Sequence, residues 1–299
     1  RMPVVMGFGA LRIGVALPDP PDLVDRAVAA AASADVAVVV VGTNEEWETE
    51  GHDRDAIELP GAQDELVARV AEVCERTVAV VNAGSPVAMP WLEAVGAVVI
   101  PFFGGMEMAP AVVDVLLGEA DPGGRLPITF PQRLDDVAAM AHHAPVAGTQ
   151  TYGEGYRVGY RGFVADGIEP LFWFGHGLSY GTVDWGAARL SASSMERDES
   201  VFVDVELLNV GDRVATEVVQ VYVRALDPVV ARSPLELAGF ARASLAPGER
   251  TTVVVEVGPE ALRRWDVAEG RWVVDPGTYE LAMGASVGDL RHRRRLEVT

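Results

Sequence analysis

The sequence predicts an α/β plus all-β fold, with a mostly parallel α/β-sandwich sheet flanked by helices and then a small antiparallel β-sandwich. Three observations predict it. Up to Gly118, apolar strand-like runs alternate with amphipathic stretches, which implies a parallel sheet with helices on both faces. From about Leu190 the chain turns to short alternating segments punctuated by Asn209-Val210-Gly211, Pro247-Gly248 and Pro276-Gly277. Between these regions, residues 132–170 lose their periodicity and favour Ala, Gly, His, Pro and Thr. Connections of that length are functional or packed over another domain.

Residues 23–32 suit a helix, with Asp22 ahead of it as N-cap. Residues 35–42 form a valine run that suits a buried strand. Residues 61–75 suit a second helix, 77–82 a second strand, 90–95 a short helix and 97–102 a third strand. Residues 107–117 read as a helix that Gly118 closes as a C-cap. Residues 125–130 suit an edge strand, because Pro127 is tolerated best at an edge. In the β region the strand segments are 200–208, 217–224, 251–257, 277–284 and 294–298.

At 299 residues the chain has room for about two domains. Its hydrophobic fraction of 49% is that of a globular protein. A net charge of −20 argues against nucleic acid or an anionic membrane as partner, since phosphate is repelled, while neutral substrates are compatible with it. The single Cys74 makes no internal disulfide and sits in an apolar helical pattern, so it reads as a buried structural thiol. A chain without disulfides suits the cytoplasm, and export is compatible with it. No apolar run approaches the ~20 residues of a membrane span. The start, Arg1-Met2-Pro3-Val4, has no signal-peptide pattern.

The chemistry-bearing stretch follows the first strand. Thr43 to Trp47 and then Glu48-Thr49-Glu50-Gly51-His52-Asp53-Arg54 place a cluster of acids beyond a strand's carboxyl end, where open α/β sheets bind ligands. Glu-Gly-x-Asp-Arg, followed by Leu59-Pro60 and Gln63, resembles the acid/base loop of glycoside hydrolase family 3, the β-glucosidase family. Further matches follow in order: Gly104-Gly105-Met106-Glu107, Asp114 to Gly118, Pro122-Gly123-Gly124-Arg125-Leu126-Pro127 and Val158-Gly159-Tyr160-Arg161. Pro170 to Tyr180 and Asn209 to Val223 complete the set, which covers nearly the whole chain.

The resemblance implies a retaining β-glycosidase in which Glu50 is the acid/base residue, with Glu48 as the fallback. A retaining pair of carboxyl groups stands about 5–5.5 Å apart. In this family the nucleophilic aspartate lies in a Ser-Asp-Trp-type motif of an N-terminal (β/α)8 barrel. No such motif occurs here, and Val183-Asp184-Trp185 falls at the start of the β region. The chain therefore reads as a C-terminal portion, with the barrel in the same or another chain.

Trp47, His52, Asp53 and Arg54 are the candidate substrate-binding residues. Trp47 either stacks on a sugar or packs under the loop. Asp53 and Arg54 are expected to pair with each other and shape the loop, with direct sugar contact the second reading. No cofactor is implied. The histidines lack acid or Cys neighbours at metal-ligand spacing, so no metal site is expected. Ser85 lacks the Gly-x-Ser-x-Gly elbow.

The resemblance also implies a division of the chain. Residues 1–17 resemble the end of a PA14-like β insert, 18–132 the α/β-sandwich domain, 133–189 a connecting segment packed between domains, and 190–299 a fibronectin type III-like domain. His176 in Phe174-Gly175-His176-Gly177 is expected to dock the two domains together. A β-glycoside or oligosaccharide is the implied substrate, and homo-oligomerisation is compatible with it. The reading from a different class is a noncatalytic chain that binds carbohydrate or a partner protein.

Overall fold

A computed structural model describes residues 20–51 and 53–299. The expected PA14-like exit at residues 1–17 and the candidate His52 lie outside the described residues.

The α/β unit is built from α1 (Leu23–Ala31), β1 (Ala37–Gly42), α2 (Gln63–Val73), β2 (Thr77–Asn82), β3 (Ala97–Val99) and α3 (Met108–Leu117). The strands pair in parallel in the order β1-β2-β3, with Val39 opposite Ala79 and Ala79 opposite Val98. One face of this sheet packs on α2, burying Val39, Val41, Val67, Val70, Ala79 and Val81 in one cluster. Cys74 belongs to the same cluster, buried as the apolar pattern around it suggested. Gly118 closes α3 in the left-handed conformation, at φ 75°.

Three elements depart from expectation. The strand expected over 97–102 stops at Val99, because Pro101 offers no N–H to a ladder. The helix expected over 90–95 is one 3-10 turn, Leu92–Ala94. The edge strand expected over 125–130 does not join the sheet. That segment pairs with the chain returning at 171–176, through Leu126 N to His176 O (2.8 Å) and Phe130 N to Phe172 O (2.8 Å). Pro127 and Pro131, lacking N–H groups, leave room for only this isolated pairing.

The connection is ordered. Two 3-10 turns, Leu134–Asp136 and Ala138–His142, precede the short helix α4 (Tyr160–Asp166). Tyr160 is buried and stacks on Phe174 with ring centroids 5.0 Å apart.

The described residues form thirteen strands. Those after α4 are β4 (Val183–Leu190), β5 (Ser194–Met195), β6 (Val201–Asn209), β7 (Ala215–Ala225), β8 (Glu236–Leu245), β9 (Arg250–Val257), β10 (Arg264–Asp266), β11 (Arg271–Val273), β12 (Gly277–Ser286) and β13 (Asp289–Val298). A five-stranded sheet, β5-β13-β12-β7-β8, faces a three-stranded one, β4-β6-β9. Between them lies a core that includes Val203, Val205, Leu207, Val219, Val221, Leu281 and Met283. β4 and β8 were not foreseen, since Gly186, Ala187, Ala188 and the Ala/Gly-rich 238–243 are poor strand formers. With β4 included, the sandwich starts at Val183 rather than at 190.

β7 joins the two units. Alternate residues Val219, Val221 and Val223 enter the sandwich core, while Gln220 and Tyr222 face the connection. Gln220 Nε2 donates to Gly175 O at 3.0 Å, and Val287 N donates to Phe174 O at 3.2 Å. A side chain at position 175 would meet Gln220 Oε1 at 2.0 Å, and φ there is +82°, so both space and conformation require glycine. His176 stacks on Phe172 at 5.2 Å, and its segment docks the two units as expected. Burial, aided by the Arg125 charge, pushes its imidazole below the ordinary histidine range.

Alongside, Asp121 accepts hydrogen bonds from Tyr180 N, Ser179 Oγ and Thr216 N. Arg125 pairs with Glu217 at 3.1 Å, their side chains only 9% and 10% exposed. Removing one member of such a pair strands a buried charge, at a cost of about 3–5 kcal/mol. Arg125→Leu is expected to destabilise the chain by roughly that amount. Arg125→Leu combined with Glu217→Leu should recover most of it. Denaturant unfolding of the two single variants and the double variant checks this, and an additive double variant would contradict the pairing.

Candidate active site

The site is assembled at the carboxyl ends of β1 and β2. Asn44 starts the turn that follows β1, accepting from Glu46 N with its side chain (2.8 Å) and from Trp47 N and Glu48 N with its carbonyl (3.0 and 2.9 Å). Gln63, at the start of α2, clasps Gly42 through both amide groups, at 2.7 and 2.9 Å. The loop's far end is tied by Asp64, which accepts from Leu59 N and from Trp91 Nε1.

Glu48 is the centre of this loop. Its carboxylate accepts from Thr43 Oγ1, from Gly84 N at 2.9 Å and from Ser85 Oγ at 2.8 Å. Burial pushes its carboxyl up, but these hydrogen bonds and the Arg54 charge outweigh that and hold it below the usual glutamate range. Glu48 thus ties the β1 loop to the β2 loop as an ionised anchor. Such a group is poorly suited to donating a proton near neutrality.

Glu50 differs. It is exposed, and its carboxylate makes no hydrogen bond or ion pair with any described residue. Trp47 is 46% exposed and lines the cleft. Asp53 and Arg54 do not pair with each other among the described residues. Arg54 Nη2 instead donates to Pro86 O at 2.8 Å, and its buried Nη1 has no partner among the described residues. Asp53 meets His143 Nε2 at 3.3 Å. The expected mutual pair fails because Arg54 turns inward to the β2 loop while Asp53 points out to the connection.

Trp47, Glu48, Asp53, Arg54 and Ser85 line a cleft of about 740 Å³ together with Leu134, Met140 and His143, and Glu50 is not among its lining residues. Four participants escaped the sequence reading. Ser85 was weighed only as a nucleophile, although Gly84-Ser85-Pro86 follows a strand at the same sheet end as the acid loop. Asn44 carried a usable turn signal. His143 and Met140 carried none, because only the fold brings the connection over the loop. No group of three or more His, Cys, Asp and Glu side chains among the described residues is arranged to hold a metal ion.

Residues 14–160 match the Glycosyl hydrolase family 3 C-terminal domain, and residues 217–287 match the Fibronectin type III-like domain. A β-glucosidase from Rhizobium radiobacter is 42% identical over 286 residues, spanning 94% of this chain and 35% of the relative. A probable β-glucosidase H from Emericella nidulans is 35% identical over 99% of this chain and 36% of its own length. Among solved structures, the β-glucosidase from Kluyveromyces marxianus in complex with glucose superposes with a TM-score of 0.88 at 35% identity, covering 95% of this chain and 34% of that one. A β-glucosidase from Streptomyces venezuelae in complex with D-glucose gives 0.83, also at 35% identity, over 92% of this chain and 35% of that one. The chain thus spans about a third of its relatives' length, and it belongs to glycoside hydrolase family 3 through its C-terminal and fibronectin type III-like domains.

Glu48→Gln is expected to loosen the loop, with a loss of about 1 kcal/mol for charge-assisted bonds at a partly solvated site. A lowered folded-state pKa means that this contribution is complete above about pH 4.3 and disappears as pH falls through the folded value. Melting temperatures of wild type and Glu48→Gln should therefore differ at neutral pH and converge in acid. An equal gap at both would contradict the anchoring role.

Proposed function

We propose that this chain, as a member of glycoside hydrolase family 3, supplies the acid/base half of a retaining β-glycosidase site. Terminal β-glucosides are its substrate class. Glu50 protonates the leaving-group oxygen, and after a glycosyl-enzyme has formed it removes the proton from the attacking water. The nucleophilic aspartate comes from a (β/α)8 barrel, carried by the same polypeptide or by another one.

The observation that carries this reading is the contrast within the loop. Glu48 has both carboxylate oxygens engaged, whereas the exposed carboxylate of Glu50 makes no hydrogen bond or ion pair with a described residue. The acid/base carboxyl must exchange its proton twice per turnover, so its pKa must be set by what covers it when substrate is bound. An exposed loop acid takes a raised pKa once a barrel and a sugar exclude water from it. Trp47, half exposed on the cleft lining, offers a ring face on which a sugar or leaving group can stack.

The β-glucosidase relatives support the choice of β-glucosides over other β-glycosides. An aryl β-glucoside assay tests the reading. The chain alone is expected to be inactive, and the polypeptide that includes the barrel active. Glu50→Gln in the active form should lower kcat by about 10²–10⁴-fold, the usual contribution of general acid–base catalysis. Activity that survives the substitution would overturn the assignment of Glu50. Full activity in the isolated chain would overturn the need for a barrel.

A further inference from the structure

Two of the six tryptophans lie outside every feature described so far. Trp265 and Trp272 face each other across the β10–β11 hairpin, as direct register partners. Their ring centroids are 5.6 Å apart and their planes meet at 76°. Both remain about half exposed, at 49% and 54%. Neither indole N–H is taken by a described residue. A cross-strand aromatic pair staples a two-stranded ribbon that would be marginal alone. That role accounts for the contact but not for two large rings left half in water.

The rim of the pair is polar. The Arg263 guanidinium lies 4.8 Å over the Trp272 ring. Arg271 pairs with Glu269, and Arg264 is held by Asp275 and Asp266. Asp266 also accepts from Ala268 N and Glu269 N, which fixes the turn. Arg263, Arg264 and Arg271 are matched in number by Asp266, Glu269 and Asp275, so the patch is locally neutral on a chain of net charge −20. Anionic ligands find no excess of positive charge there. A neutral polyhydroxylated ligand fits both parts, with pyranose C–H faces against the indoles and hydroxyls to the charged rim.

We propose that the Trp265–Trp272 corner is an accessory binding site for soluble β-linked oligosaccharides. That the ligand is a glycan rests in part on the glycosidase reading above. The angle between the rings sets the class of glycan. Orthogonal rings clasp a single chain or chain end, whereas the flat surface of crystalline cellulose needs coplanar rings. The site lies on the sandwich, so it can hold a chain independently of the acid loop and raise its local concentration there.

Titration of the ¹⁵N-labelled chain with cellohexaose and with laminarihexaose, following the indole N–H resonances, tests this. At least one of the two probes is expected to shift the Trp265 and Trp272 resonances saturably below about 10 mM, the range of weak association. Trp265→Ala should weaken that binding by up to about tenfold, the scale of one aromatic contact. Because Trp265→Ala also removes the staple, the wild-type titration is decisive, and a thermal melt reports the staple separately. Immobility of both resonances with both probes would overturn the site. Movement of the Trp47 resonance alone would also overturn it, while leaving the glycosidase reading intact. Movement of Trp265 and Trp272 alongside an active form that tolerates Glu50→Gln would keep the site and sink the acid/base assignment. Retention of the chain on crystalline cellulose would overturn the assignment to single chains.

Discussion

The arrangement of this chain depends on a buried ion pair at the seam between its two units. Arg125 reaches from the α/β side to Glu217 on β7, and it also donates to Gly124 O and Thr216 O. Glu217 accepts from Trp185 Nε1 with its other oxygen. Desolvating two charges is costly, and the loss is recovered only when the surrounding hydrogen bonds are well placed. A pair that demands such placement tolerates one docking geometry. The neighbouring Asp121 cluster and the Gln220–Gly175 contact impose the same geometry from two further points.

That fixed seam explains how the connection reaches the acid loop. The segment after Phe130 leaves a docked pairing with Phe172, and it is next secured at Tyr160, wedged between Phe174 and Tyr222. Between these anchors the 3-10 turns carry Leu134, Met140 and His143 over the cleft, and His143 meets Asp53. The cleft wall is thus set by contacts with the sandwich as well as by the sheet that bears the loop.

Much of this was legible in the sequence, for identifiable reasons. Parallel strands announce themselves as valine runs, so β1 and β2 were placed closely from 35–42 and 77–82. Gly118 gave a sharp helix end because few residues other than glycine occupy the left-handed region readily. Legibility failed where pairing overrides local preference. The Ala/Gly-rich β4 and β8 are strands because neighbouring strands impose it. Segment 125–130 looked like an edge strand, yet its partner is a stretch some 40 residues later, which no local pattern indicates. At the site, the acid loop could be read from its motif, but its internal wiring could not. The sequence neighbours Asp53 and Arg54 face opposite ways, and their partners, His143 and Pro86, are remote in sequence.

The wiring also bears on why the loop carries acids at alternate positions. Ionised and tied to Thr43, Gly84 and Ser85, Glu48 fixes the path of the backbone. The same bonds lower its proton affinity, so the features that make it a good anchor make it a poor proton donor. A residue that both holds a loop and exchanges protons would lose its grip each time it was protonated. Under the glycosidase reading the two tasks fall to different residues. Glu48 stays charged throughout, while Glu50, bonded to no described residue, takes its proton affinity from the surface and sugar that close over it.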